Sequence, residues 1–196
     1  MLPRFHRLIS QLGFFCPLLI ALSAAGAGFE LRTQEEPATE STNPFTRYIL
    51  RTDWASFELL PPYLWTHQLL TAEQTLVLMA KDASASIKLK LVEAESGKVP
   101  ALDTESLRRK TGDAFPGATV VGEYRYCWQG LYGPCFDLAH SRTGTGTGRL
   151  SSRVVFLPFR GGYAEFMLTA PSDQFDKQVR GLSRVVDSFR LKAGSN

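Results

Sequence analysis

Apolar residues recur at every second position through most of the chain after Phe45, and this period of two constrains the fold more than any other feature. Strand side chains alternate between two faces, so each such run specifies a strand with one face for a core and one for another layer or solvent. Ser86 to Glu93 shows it cleanly, with Ile87, Leu89 and Leu91 on one face and Lys88 and Lys90 on the other. Ala55 to Leu60 reads as a strand ended by Pro61-Pro62, which cannot continue a ladder, and Leu76 to Ala80 is a short apolar run. Four strands then follow in succession: about Thr119 to Trp128, Cys135 to Arg142, Leu150 to Phe159 and Tyr163 to Thr169. Their connections hold Gly130 with Gly133, then Gly144, Gly146 and Gly148, then Gly161-Gly162, as hairpins require.

The period turns helical in two places. Asp103 to Phe115 opens on an N-cap aspartate, carries Arg108, Arg109 and Lys110, and stops before Pro116-Gly117. Ser172 to Leu191 sets Phe175, Val179, Leu182, Val185, Val186 and Phe189 on one stripe, which predicts a terminal helix facing the core.

Ahead of this domain, Arg4 and Arg7 precede a stretch from Leu8 to Phe29 without a charged residue. It reads as a secretory signal over residues 1–27, with Ala25-Gly26-Ala27 offering cleavage after Ala27 or, second, after Ala25. An uncleaved membrane anchor is the alternative, weakened by Ser10, Gln11 and Pro17. Residues 28–44 are polar and acidic, with Glu30, Glu35, Glu36 and Glu40, and are expected to be a flexible linker. One domain of about 150 residues follows, within 45–196. The protein is thus expected to be secreted or periplasmic.

Charge excludes little else. The chain has 22 Lys and Arg against 19 Asp and Glu, and without Arg4 and Arg7 it is close to neutral, too weak a bias for nucleic acid or an anionic membrane. An exported chain left with Cys127 and Cys135 is expected to pair them as a disulfide. If they face one another across the hairpin, Tyr126 meets Phe136, Arg125 meets Asp137 and Tyr124 meets Leu138. The clasped segment Trp128 to Pro134 would then present Trp128, Leu131 and Tyr132 as a possible binding loop. A zinc site from Cys127, Cys135, Asp137 and His140 fits no usual spacing, so no metal or other cofactor is expected.

No catalytic residue is assigned. His67 reads as a solvated loop residue, and His140, sharing a face with Phe136 and Leu138, as a half-buried strand residue. Neither a Gly-x-Ser-x-Gly elbow, a His-Glu-x-x-His helix nor a Walker loop is present. Thr143 to Gly148 (TGTGTG) joins two strands and reads as a flexible hairpin loop, and Arg108-Arg109-Lys110 as a solvated helix face.

The order of elements, with Phe57-Glu58-Leu59-Leu60-Pro61 followed by Trp65, resembles the opening strand and loop of the PsbP-like superfamily. Val155-Phe156-Leu157, Gly161-Gly162-Tyr163-Ala164-Glu165-Phe166, Leu168-Thr169-Ala170, Phe175 and Val186-Asp187-Ser188-Phe189 resemble its last hairpin and helix. The resemblance implies an α+β fold: an antiparallel sheet of six or more strands with helices packed on both faces, an α/β/α sandwich. It implies no catalytic residue, and it implies a non-catalytic role in binding or assembling another protein or envelope component, without nucleic acid and without stable membrane insertion. The alternative is a small-ligand-binding protein or a hydrolase using a cleft between sheet and helices, which a deep pocket lined by Tyr124, Tyr126 and Trp128 would favour. The chain departs from the family at Cys127, Cys135 and the Gly/Thr loop.

Overall fold

A computed structural model describes residues 28–37, 45–95, 97–141 and 149–192. The alternating segments form a seven-stranded antiparallel sheet. Its order is β4 (Thr66–Leu70), β5 (Thr75–Met79), β6 (Ser86–Glu93), β10 (Gly162–Pro171), β9 (Leu150–Phe159), β8 (Leu131–His140) and β7 (Ala118–Trp128). The register aligns Leu69, Leu76, Leu89, Phe166, Val155, Cys135 and Tyr124 as one row across all seven strands. That row explains the period of two: on the central β10, Ala164, Phe166, Leu168 and Ala170 are buried while their neighbours are half-buried. The residues between them on the neighbouring strands, Phe136, Leu138, Val154 and Phe156, form a second cluster on the opposite face.

The single sheet expected is divided into two. Four antiparallel strands form a smaller sheet in the order β1 (Glu30–Glu36), β2 (Phe45–Arg51), β3 (Ser56–Leu59) and β11 (Arg190–Lys192). Its Tyr48, Leu50, Phe57 and Leu59 join the main core with Ile87 and Leu89. β1 corrects the expected linker over part of its length: Glu30–Glu36 pairs with Phe45–Arg51 from end to end. Almost none of β1 is buried, so it lacks an apolar face to read, and backbone pairing places it. Cross-strand charge assists: Arg47 on β2 lies 3.4 Å from Glu36 and 3.2 Å from Glu58 of β3, which also meets Lys192 at 3.4 Å. The signal residues 1–27, the rest of the linker and the TGTGTG tract lie outside the described residues.

Helix α1 (Thr104–Ala114) starts where expected, with the Asp103 carboxylate accepting from the Ser106 amide at 3.0 Å. It sets Leu107 into the cluster of Phe136, Leu138, Val154 and Phe156. Helix α2 (Phe175–Ser188) sets Leu182, Val185 and Val186 into the main core. It ends earlier than its stripe, because Phe189 turns to extended geometry and enters the core, stacked on Phe57 at 5.3 Å between ring centroids and edge-on to Phe166 at 5.2 Å. Among the described residues, no helix is long and apolar enough to cross a membrane.

Candidate functional site

The β7–β8 hairpin overturns the expected disulfide. Its turn is only Gln129 and Gly130, both at positive φ (50° and 77°), the pair of left-handed residues that a tight two-residue hairpin requires. Trp128 therefore faces Leu131, Cys127 faces Tyr132 and Tyr124 faces Cys135. Compared with the expected pairing of Cys127 with Cys135, the register is offset by three residues, an odd number, so the two cysteines lie on opposite faces. Both thiols are free, Cys127 exposed and Cys135 buried.

The expected binding loop is corrected with it, since β8 begins at Leu131. Trp128 is a core residue, 4% exposed, and its Nε1 donates to the Phe189 carbonyl at 3.0 Å. Leu131 is half-buried. Tyr132 alone stands out, 61% exposed. Asp137 meets Arg153 of β9 rather than Arg125, which faces Pro134.

Beside Cys135 the sheet carries a closed polar cluster. Arg153 donates through Nε and Nη2 to both oxygens of Asp137, at 2.7 and 2.8 Å, and the Tyr124 hydroxyl donates to the same carboxylate at 2.9 Å. The guanidinium also lies over the rings of Tyr124 and Phe175, 5.1 and 5.8 Å from their centroids. Burial pushes the Cys135 thiol up to about 11, opposed only in part by the Tyr124 hydroxyl and Arg153. At neutral pH that sulfur is a thiol, not the thiolate a nucleophile or metal ligand needs. Next along β7, the Tyr126 hydroxyl donates to Asp187 of α2 at 3.0 Å, and burial pushes it up to about 12. These contacts clamp β7, β8, β9 and α2 together and use up their own polar groups.

The histidines are likewise engaged. His67 lies on β4, not in a loop, with Nδ1 2.8 Å from the Tyr48 hydroxyl. His140 is half-buried, its protonation disfavoured by burial, and its Nε2 lies 2.9 Å from the Ser152 hydroxyl. This is nucleophile-and-base spacing. Ser152 is nevertheless fully buried, and its hydroxyl also meets Thr169 at 2.9 Å, so an incoming carbonyl has no approach. Among the described residues, no group of three or more His, Cys, Asp or Glu side chains could hold a metal ion.

A different feature faces solvent. Between β3 and β4 the chain runs Pro61-Pro62-Tyr63-Leu64-Trp65, closed by the Trp65 amide donating to the Pro62 carbonyl at 3.3 Å. Pro62 is buried and Trp65 packs on the core, while Tyr63 is 78% and Leu64 61% exposed. Leu64 has φ of 63°, a left-handed conformation that costs a residue with a Cβ about 1–2 kcal/mol. Beside the tip lies a shallow groove of about 550 Å³, continued by Ala80, Lys81, Asp82, Lys177 and Gln178.

No protein-family model and no curated protein sequence matches the chain. Among solved structures, cyanobacterial PsbP (CyanoP) from Synechocystis sp. PCC 6803 superposes on 92% of this chain and 99% of its own, with a TM-score of 0.54 at 15% identity. The fold is PsbP-like. A crystal structure from Bacteroides thetaiotaomicron matches 71% of this chain with a TM-score of 0.52 at 10% identity, this chain spanning about half (46%) of its length. LpqN of Mycobacterium tuberculosis, described as involved in cell envelope biogenesis, matches 82% of this chain and 92% of its own with a TM-score of 0.45 at 14% identity. In this PsbP-like frame the cysteine hairpin is a packed pair of strands, and two adjacent solvent-facing apolar residues, Tyr63 and Leu64, sit on the β3–β4 turn. The signal for that turn was present in the sequence as two prolines followed by three large apolar residues, more than a buried turn needs.

Proposed function

We propose that this PsbP-like chain is a non-catalytic, exported binding module of the cell envelope, its larger sheet flanked by a helix on each face, and that it docks another protein through Tyr63 and Leu64. The observation that carries the reading is the Pro61–Trp65 turn, which holds two large apolar side chains in solvent on a left-handed backbone. Left-handed backbone also occurs at Gln74, Ala83 and Gln129, but at Leu64 it coincides with two adjacent exposed large apolar side chains, as at sites where strain is kept for binding. A turn fixed at both ends by Pro62 and Trp65 loses little freedom when its side chains enter a socket, which favours affinity. Lys81 and Lys177 outnumber Asp82 beside it, a net positive rim that suits a socket with acidic edges. Export is supported by the uncharged stretch behind Arg4 and Arg7.

The test is a photo-crosslinking residue placed at position 63 and, as a control at another exposed tyrosine, at position 132. A partner captured from envelope extract at 63 and not at 132, and lost when Leu64→Ala is added, is the expected result. Capture of the same proteins at both positions, or of none at 63, overturns the reading.

A further inference from the structure

We infer that β7 pairs edge to edge with β7 of a second copy of this chain. β7 is an outer strand of the larger sheet and, among the described residues, pairs only with β8, so the backbone groups along its other side have no ladder partner there. At eleven residues it is long for an exposed edge, whereas β4, the other outer strand of this sheet, has five. Its bulge lies between Val120 and Gly122, which leaves Gly122 to Trp128 regular.

The charges on this edge select a second copy as the occupant. Edges that avoid their own kind carry like charges, most often lysines. Here Glu123 and Arg125 have opposite signs, lie two residues apart on one face and are both exposed. An antiparallel pairing with Tyr124 on the two-fold axis sets Glu123 against Arg125 of the second copy and Arg125 against its Glu123. One self-complementary patch thus makes two ion pairs, as a symmetric interface demands. Every pair joins residues of equal parity, so the faces of the two sheets continue into one another.

Neither charge is tightly held elsewhere among the described residues. Arg125 has no acidic partner among the described residues, and Glu123 has only a contact of 3.7 Å to Arg108, both side chains being well exposed. Backbone hydrogen bonds between the edges supply the attraction, and the ion pairs fix the register.

The test is the molar mass of the full chain in solution, by light scattering or sedimentation, over about 1–100 μM. Wild type is expected to dimerise. Glu123→Arg sets two arginines against two, and Arg125→Glu two glutamates against two. Because symmetry changes both pairs at once, each variant is expected to associate about tenfold more weakly. Mixing the two variants restores opposite charges in the heterodimer, and the doubly swapped Glu123→Arg/Arg125→Glu restores them in the homodimer. Recovery in both cases supports the pairing and excludes misfolding as the cause of the losses. A monomer throughout, single variants that associate like wild type, or no recovery on mixing overturns it.

Discussion

Replacing Trp128 by alanine separates a core residue from an exposed binding anchor, the two roles this side chain could hold. The indole is 4% exposed and packs against Phe189 at 5.6 Å between ring centroids. Burying a tryptophan removes about 200 Å² from water, which at about 25 cal/mol per Å² is close to 5 kcal/mol as an upper bound. Large-to-small aromatic substitutions in cores cost about 3–5 kcal/mol, so Trp128→Ala is expected near 4 kcal/mol, a large part of the stability of a domain this size. Trp128→Phe isolates the hydrogen bond. The Phe189 carbonyl also accepts from Nη1 of Arg190 at 2.7 Å, so losing the indole N–H leaves it with a donor. The penalty for an orphaned carbonyl is therefore avoided, and about 1 kcal/mol is expected. Tyr132→Ala, at 61% exposure, is expected within about 0.5 kcal/mol of wild type. Urea unfolding followed by far-UV circular dichroism reads all three, with an unchanged slope required before midpoints are compared. A Trp128→Ala variant within 1 kcal/mol of wild type that had lost a binding partner would refute the placement of Trp128 in the core.

Four further outcomes follow from the structure. Gly133→Ala is expected to prevent folding, or to cost more than about 4 kcal/mol, because a Cβ there would overlap the Phe156 carbonyl oxygen of the next strand; expression and circular dichroism read it. Leu64→Gly is expected to raise stability by about 0.5–1 kcal/mol, since glycine accepts a φ of 63° without strain, while weakening capture of a partner at the tip; thermal unfolding and the crosslinking assay read the two effects. Stability is also expected to fall in alkali. Cys135 holds its proton to about 11 in the folded chain against an ordinary 9.0, so its contribution is complete below pH 9 and is lost as pH rises through about 11. Cys135→Ala is expected to flatten that limb in urea titrations from pH 8 to 11, whatever it does to stability at neutral pH. On the acid side, His140 is held below its ordinary value by burial, so its contribution is complete above pH 6.5 and is lost as pH falls.

The parts of the fold with an apolar face were legible in the sequence. Ser86–Glu93 and Leu150–Phe159 have the limits their alternation specified, and the capped α1 starts after Asp103. Strands without such a face were not. β1 is almost wholly exposed, β4 is exposed or half-buried along its length and β11 is three residues long, so each is placed by the neighbour it pairs with and not by its own pattern. The hairpin was misread for a specific reason: Gly133 and Pro134 look like turn punctuation. Gly133 is a point of close approach between strands, and Pro134 precedes Cys135, where the described pairing of β8 with β9 begins, so its missing N–H interrupts no bond of that ladder. The turn that forms needs only Gln129-Gly130, with glycine in the second left-handed position.

That three-residue difference in register changes which of the hairpin's chemically active side chains share a face. With Cys127 opposite Cys135, two thiols, Arg125 and Asp137 would share one face beside a rigid aromatic loop, an arrangement suited to display. With Tyr124 opposite Cys135, the same residues are sorted by parity: Cys135 and Asp137 go under Tyr124 and Arg153, while Arg125 and Cys127 go to the other face with Glu123. A reactive centre needs groups that are partnered with one another yet open to a substrate. Cys135 and Ser152 are fully buried, and the half-buried Asp137, Arg153 and His140 are engaged with the side chains beside them. The exposed set, Tyr63 and Leu64 at one turn and Glu123 and Arg125 on one edge, has access to solvent and to a partner surface. Side chains divided in this way suit recognition of a surface, and for that reason the two sites that merit mutation lie on the rim of the PsbP-like frame and not within it.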